Sequence, residues 1–175
     1  WRRGIPTQVL SAVTINDKNV IDALSKEPGE LVFFSAPGIV GQSALNLKKK
    51  WINCHKGLLP MMRGSSATFW SLLENQPLGV TIHYVDREID TGDILMQDVY
   101  DYPLESKTLD EFLVLSSKRN RDLLIRFLNK ILANETFLRC KQDQSDATYW
   151  PRLKTDIHGF INWSWCVNDI NSFIA

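Results

Sequence analysis

Trp51-Ile52-Asn53-Cys54-His55 runs directly into Lys56-Gly57-Leu58-Leu59-Pro60, and how this stretch is read decides the fold. Trp51 and Ile52 favour extended backbone, where side chains two apart share a face and neighbours face opposite ways. Asn53 and His55 therefore project together, and Cys54 projects to the other side. The Gly/Pro-bearing segment that follows ends the strand and opens a loop. A polar pair at the exit of an apolar strand is where open α/β sheets hold their chemistry.

Outward from this strand, the chain alternates. Val20 to Leu24 carries a short helical pattern stopped by Pro28-Gly29, and Leu31-Val32-Phe33-Phe34 is a continuous apolar run typical of a strand buried on both faces. After a Pro37-Gly38 turn, Gln42 to Lys50 reads as a helix with Ala44, Leu45 and Leu47 inward. A helix from the Ser65-Ser66 cap region to Leu73 would bury Phe69, Leu72 and Leu73. Val80 to Val85 is a strand with Val80, Ile82 and Tyr84 on one face and Thr81, His83 and Val85 on the other, and Ile94 to Tyr100 is extended. Thr108-Leu109-Asp110-Glu111 is a capping box. It opens a long helix ending near Leu132, with Phe112, Leu113, Leu124, Phe127, Leu128 and Ile131 at helical spacing. This alternation predicts an α/β fold with a mostly parallel, twisted sheet and helices on both faces.

At 175 residues and 44% hydrophobic, the chain can bury one core. Its 20 basic and 20 acidic residues cancel, so no net field draws in nucleic acid or anionic membrane. No apolar run reaches the roughly 20 residues needed to span a bilayer, and no signal peptide is visible. Cys54, Cys140 and Cys166 are odd in number and lack a CxxC pair. That argues against a disulfide framework or a zinc site and for a reduced, cytoplasmic setting. The opening at Trp1 resembles the middle of a domain, so the expectation is an N-terminally incomplete core over residues 1–140 with a C-terminal extension over 141–175.

The strand-exit residues suit acyl transfer, which needs a base for the attacking group, a donor for the developing oxyanion and a group that orients the base. His55, Asn53 and Asp90 fit these jobs in turn, with Thr91-Gly92 turning the chain after Asp90. Spacing alone favours the plainer reading, with His55 a satisfied core histidine and Asp90 a turn residue. A Cys54–His55 nucleophile pair fails because strand neighbours face opposite sides. No spacing favours a metal site from His55, His83 and Asp90. Gly38 and Gly41 do not make a dinucleotide fingerprint. Arg63, in the loop after Pro60, is a candidate to bind an anionic group.

Taken in order, the pieces resemble the folate-dependent formyltransferase family. They are Asn53-Cys54-His55, Leu58-Leu59-Pro60, Arg63-Gly64, Gly79-Val80-Thr81-Ile82-His83 and Asp90-Thr91-Gly92-Asp93-Ile94-Leu95. The resemblance covers about residues 30 to 100 strongly and overrides the plainer reading. It implies a Rossmann-like formyltransferase fold, 10-formyltetrahydrofolate as co-substrate, no metal, and Asn53, His55 and Asp90 as the catalytic trio. Ile39-Val40-Gly41 matches the family's folate loop, usually Ile-Leu-Pro. Asp86-Arg87-Glu88-Ile89 matches the loop whose backbone holds the pterin ring.

By the same resemblance, the acceptor is a primary amine. Thr148-Tyr149-Trp150-Pro151-Arg152 with Gly159-Phe160-Ile161-Asn162-Trp163 resembles the end of the sugar N-formyltransferase core, pointing to an amino sugar of a nucleotide sugar. A tRNA-formylating enzyme is the runner-up, since no basic RNA-contacting region stands out. A hydrolase of the same fold and a non-catalytic folate-binding domain are further alternatives. The expected partners are the two small molecules, with no membrane; a homodimer is left open.

Overall fold

A computed structural model describes residues 7–35, 38–102, 108–159, 164, 166–168 and 170. Trp1–Pro6, Pro37 and Phe160–Trp163, on which parts of the sequence reading fall, lie outside the described residues.

In chain order the elements are α1 (Lys18–Lys26), β1 (Leu31–Phe34), α2 (Gln42–Leu45), β2 (Lys50–His55), β3 (Arg63–Gly64), α3 (Ala67–Leu73), β4 (Gly79–Tyr84), β5 (Ile94–Val99), α4 (Leu109–Leu132), β6 (Tyr149–Trp150) and α5 (Thr155–His158). The α/β class stands. Four strands form one sheet in the order β1-β2-β4-β5, and β3 pairs with β6 in a second. The mostly parallel sheet does not hold over the described residues: β1 runs parallel to β2, but β2–β4 and β4–β5 are antiparallel. The physical reason is visible between Tyr84 and Ile94. Only a loop joins β4 to β5, without the crossover helix that would return the chain for a parallel neighbour.

Strand alternation sorts side chains onto two helix-covered faces. Ile52, Val80 and Ile82 join Phe112, Leu123 and Phe127 of α4 on one face. On the other, Trp51 packs with Val40 and Ala44, with Ile21 and Leu24 of α1 against them. Each fully buried side chain of this kind contributes about 1.5–3 kcal/mol. Cys54 points to the α4 face, its Sγ 3.7 Å from the Asn120 carbonyl, so the alternation read from sequence places it away from His55.

Three helix expectations shift. The α2 helix ends at Leu45, where Asn46 makes a turn, and does not continue to Lys50. The α3 helix buries its small face, Ala67, Thr68 and Ser71, while Phe69, Leu72 and Leu73 are only partly covered. In α4, Leu123 is fully buried and Leu128 is exposed, because the sheet meets a stripe rotated from the one the pattern suggested. The Thr108–Glu111 capping box forms as expected. Among the described residues no helix is long and apolar enough to cross a membrane.

Candidate functional site

Antiparallel register brings the site together. Asn53 of β2 lies opposite His83 of β4, and His55 opposite Thr81, so Asn53, His55 and His83 share one face. Asp90 reaches them from the β4–β5 loop, where it holds a left-handed φ of +55°. Two residues on, Gly92 allows the loop to close. A Cβ there would stand 2.0 Å from the Tyr84 carbonyl oxygen, a contact no side chain survives.

The Asp90 carboxylate sits between two imidazoles. Its Oδ2 is 3.6 Å from His55 Nδ1 and its Oδ1 is 3.4 Å from His83 Nε2. Each ring gives its remaining nitrogen to a backbone carbonyl: His55 Nε2 lies 2.6 Å from the Met62 oxygen and His83 Nδ1 2.8 Å from the Tyr84 oxygen. A carbonyl only accepts, so those nitrogens carry the hydrogens. Asn53 Nδ2 is 3.4 Å from His83 Nε2, which leaves its second amide hydrogen for the cavity.

Burial lowers the His55 pKa below its ordinary 6.5, against the opposing pull of Asp90 and of the Met62 carbonyl. The ring is then neutral at pH 7, with a lone pair on Nδ1. Burial would raise Asp90, but its contacts with His83 and His55 and the Gly64 N–H outweigh it and hold the carboxyl at about 2. The result is an ionised carboxylate beside an uncharged base, the pairing that general-base chemistry uses. Cys54, by contrast, is pushed up to about 12 by burial and is an inert thiol.

These groups line a cavity of about 430 Å³, a volume suited to a small-molecule ligand. Of the expected folate-contacting residues, Ile39, Val40, Asp86, Glu88 and Ile89 line it together with Asn53, His55 and Asp90. Three others are placed elsewhere. The Gly41 N–H donates to Asn16 Oδ1 at 2.6 Å, and Asn16 Nδ2 donates to the Ile39 carbonyl at 2.9 Å, so a side-chain clasp holds the loop in place of the usual proline. Arg87 faces a neighbouring depression with Lys49 and Trp51. Arg63, expected to meet an anion, is 7% exposed, and its Nε and Nη1 donate to the side chains of Gln142 and Gln144 at 2.9 and 3.1 Å.

Sequence reasoning gave His83 no part in the trio, considering it only as a metal ligand. His55, His83 and Asp90 do converge, yet among the described residues no group of three acidic, histidine or cysteine side chains is disposed to hold a metal ion. The signal for His83 was its alternation with Thr81 and Val85, usable only once the β2–β4 register is known. Tyr149 also lines the cavity. It is carried there by β6, whose pairing with Arg63-Gly64 nothing in the sequence marks.

An uncharged imidazole, an amide donor and a buried carboxylate together line a ligand-sized cavity on an α/β scaffold, an arrangement suited to group transfer. The chain belongs to the formyl transferase family, whose model matches residues 4–119. It is 33% identical over 162 residues to the methionyl-tRNA formyltransferase of Syntrophus aciditrophicus, an alignment covering 89% of this chain and 50% of that one. Among solved structures it resembles a 4-N formyltransferase from Francisella tularensis, 25% identical at a TM-score of 0.73, covering 89% of this chain and 63% of that one. It also resembles an N-formyltransferase from Helicobacter canadensis in complex with folinic acid and dTDP-3-aminofucose, 25% identical at a TM-score of 0.70, covering 81% and 52%. The Rossmann-like formyltransferase fold is thus shared. The chain spans about half the length of the curated relatives it matches.

Proposed function

We propose that this chain carries the catalytic site for formyl transfer from 10-formyltetrahydrofolate to a primary amine. One observation carries the reading: Asn53, His55 and Asp90, from two separate segments, meet in a cavity that Ile39, Val40, Asp86, Glu88 and Ile89 also line. The folate supplies an activated formyl group and, at its nitrogen, the leaving group. Asn53 donates its free amide hydrogen to the oxygen that gains charge as the amine nitrogen bonds to the formyl carbon. His55 takes the amine proton on Nδ1, and the Asp90 carboxylate stabilises the imidazolium so formed. When the bond from carbon to the folate nitrogen breaks, His55 returns the proton to that nitrogen. Such preorganised donors act strongly where the polar groups around them are buried, as His55 and His83 are.

The acceptor we favour is the amino sugar of a nucleotide sugar. Tyr149 at the cavity mouth offers a ring on which a base can stack, and the chain's 20 basic and 20 acidic residues provide no general attraction for RNA. The sequence likeness to methionyl-tRNA formyltransferases supports charged initiator tRNA as the second reading. Incubating the protein with 10-formyltetrahydrofolate and either amino-sugar nucleotides or charged initiator tRNA, and weighing the products, separates the two. Formate released without any acceptor would indicate a hydrolase. Folate binding without turnover would reduce the site to a binding domain.

A further inference from the structure

We propose that Gln142 is a positioning residue for Asp90, setting the place of the carboxylate that both imidazoles share; this rests on the formyl-transfer reading of the site. Asp90 adopts a left-handed backbone, uncommon outside glycine although Asp tolerates it better than most residues. Gln142 ties that conformation down. Its Nε2 donates one hydrogen to the Asp90 carbonyl at 2.8 Å and the other to the Gly92 carbonyl at 2.7 Å. Its Oε1 accepts from Arg63 Nε at 2.9 Å. Both hydrogens and the oxygen of one amide, 8% exposed, are therefore committed to the loop and its brace.

The rest of the 140–150 segment keeps that amide in register. Cys140 bridges to Ile94 through paired backbone hydrogen bonds of 2.8 and 3.0 Å. Downstream, Arg63 N–H donates to the Thr148 carbonyl and Ser65 N–H to the Trp150 carbonyl, each at 3.1 Å. Gly64, between them, donates its N–H to Asp90 Oδ2 at 2.9 Å, and a Cβ there would meet the Trp150 oxygen at 2.2 Å. Arg63 thus braces the amide that positions Asp90 through its Nε, while its buried Nη2 has no hydrogen-bond partner among the described residues. Gln142 lies beyond the residues 4–119 that the family model matches, so the segment that sets the carboxylate is outside that common part.

Gln142→Glu keeps the length and the acceptor for Arg63 but removes both donors to the loop, and Gln142→Met, made beside it, removes them without adding a charge near Asp90. We expect kcat to fall about 10–100-fold, the usual cost of losing a partner that orients a reacting group, with KM for folate within about threefold. In ligand-free protein, the Asp90 carboxyl followed by carbon NMR should titrate above about 2, towards its ordinary 3.8. If Gln142→Glu does not fold, Gln142→Met, similar in length and uncharged, is read the same way. Folded variants with wild-type kcat and an unmoved Asp90 titration would overturn the proposal. A wild-type protein that formylates nothing, with the titration still displaced in the variants, would sink the formyl-transfer reading and leave the positioning role standing.

Discussion

Of the residues that line the cavity, His55 and His83 form a buried end at 8% and 1% exposure, whereas Ile39 and Ile89 form an open one at 57% and 37%. At the buried end, polar groups are engaged before any ligand arrives: the histidines by backbone carbonyls and a shared carboxylate, the Asp90 carboxylate by the Gly64 N–H and its backbone carbonyl by Gln142. At the open end, apolar side chains face solvent on two loops, one held by the Asn16 clasp and the other by bonds among Asp86, Glu88 and Thr91. Rigid polar geometry is what transition-state stabilisation requires. Exposed apolar surface that a ligand can cover is what binding requires. The two ends should therefore fail differently when altered.

The largest expected effects lie at the buried end. His55→Ala or Asp90→Asn should cost roughly 10²–10⁴-fold in kcat, with folate KM little changed and the fold retained by circular dichroism. Near-wild-type formylation by either variant would break the contrast. The pH dependence sharpens it. Because burial lowers His55 below 6.5, kcat/KM should hold as the pH drops past that value and decline only at more acid pH. An acid limb at 6.5 or higher would mean the imbalance of burial over charge is wrong. Stability moves in the same direction. Both groups have folded pKa values below their unfolded ones, so each contribution is lost on acidification: that of His55 from about 6.5 downward, that of Asp90 between 3.8 and about 2.

The open end should give smaller, binding-type losses. Asn16→Ala removes the clasp on the 39–41 loop and should raise folate KM about fivefold, the worth of a net hydrogen bond of about 1 kcal/mol, with kcat preserved. Gly41 has a φ of −78° that proline can adopt, but a Cβ there would crowd Asn16 Oδ1 at 2.8 Å. Adding Gly41→Pro to Asn16→Ala should therefore recover much of the loss, and steady-state kinetics of the pair and the singles would show it. A kcat effect as large as that of Asp90→Asn would erase the distinction between the two ends. Smallest of all, Cys54 should resist alkylation at pH 8 while exposed Cys140 and Cys166 react, and Cys54→Ala should leave turnover unchanged.

Local chemistry made part of this molecule readable from its residues alone. The two-residue period of a strand put Asn53 and His55 on one side and Cys54 on the other, and the Thr108–Glu111 box marked where α4 begins. Those features depend on neighbours within a turn or a strand, so tertiary context did not alter them. Family-like pieces in order also pointed to Asp90, although nothing local placed it against His55. Tertiary structure alone settled the sense of the β2–β4 pairing, because alternation looks the same in parallel and antiparallel strands, and with it the arrival of His83 opposite Asn53. It likewise turned Arg63 inward and brought Gln142 onto a loop 50 residues away, since a buried carbonyl must find a donor wherever the folded chain happens to offer one.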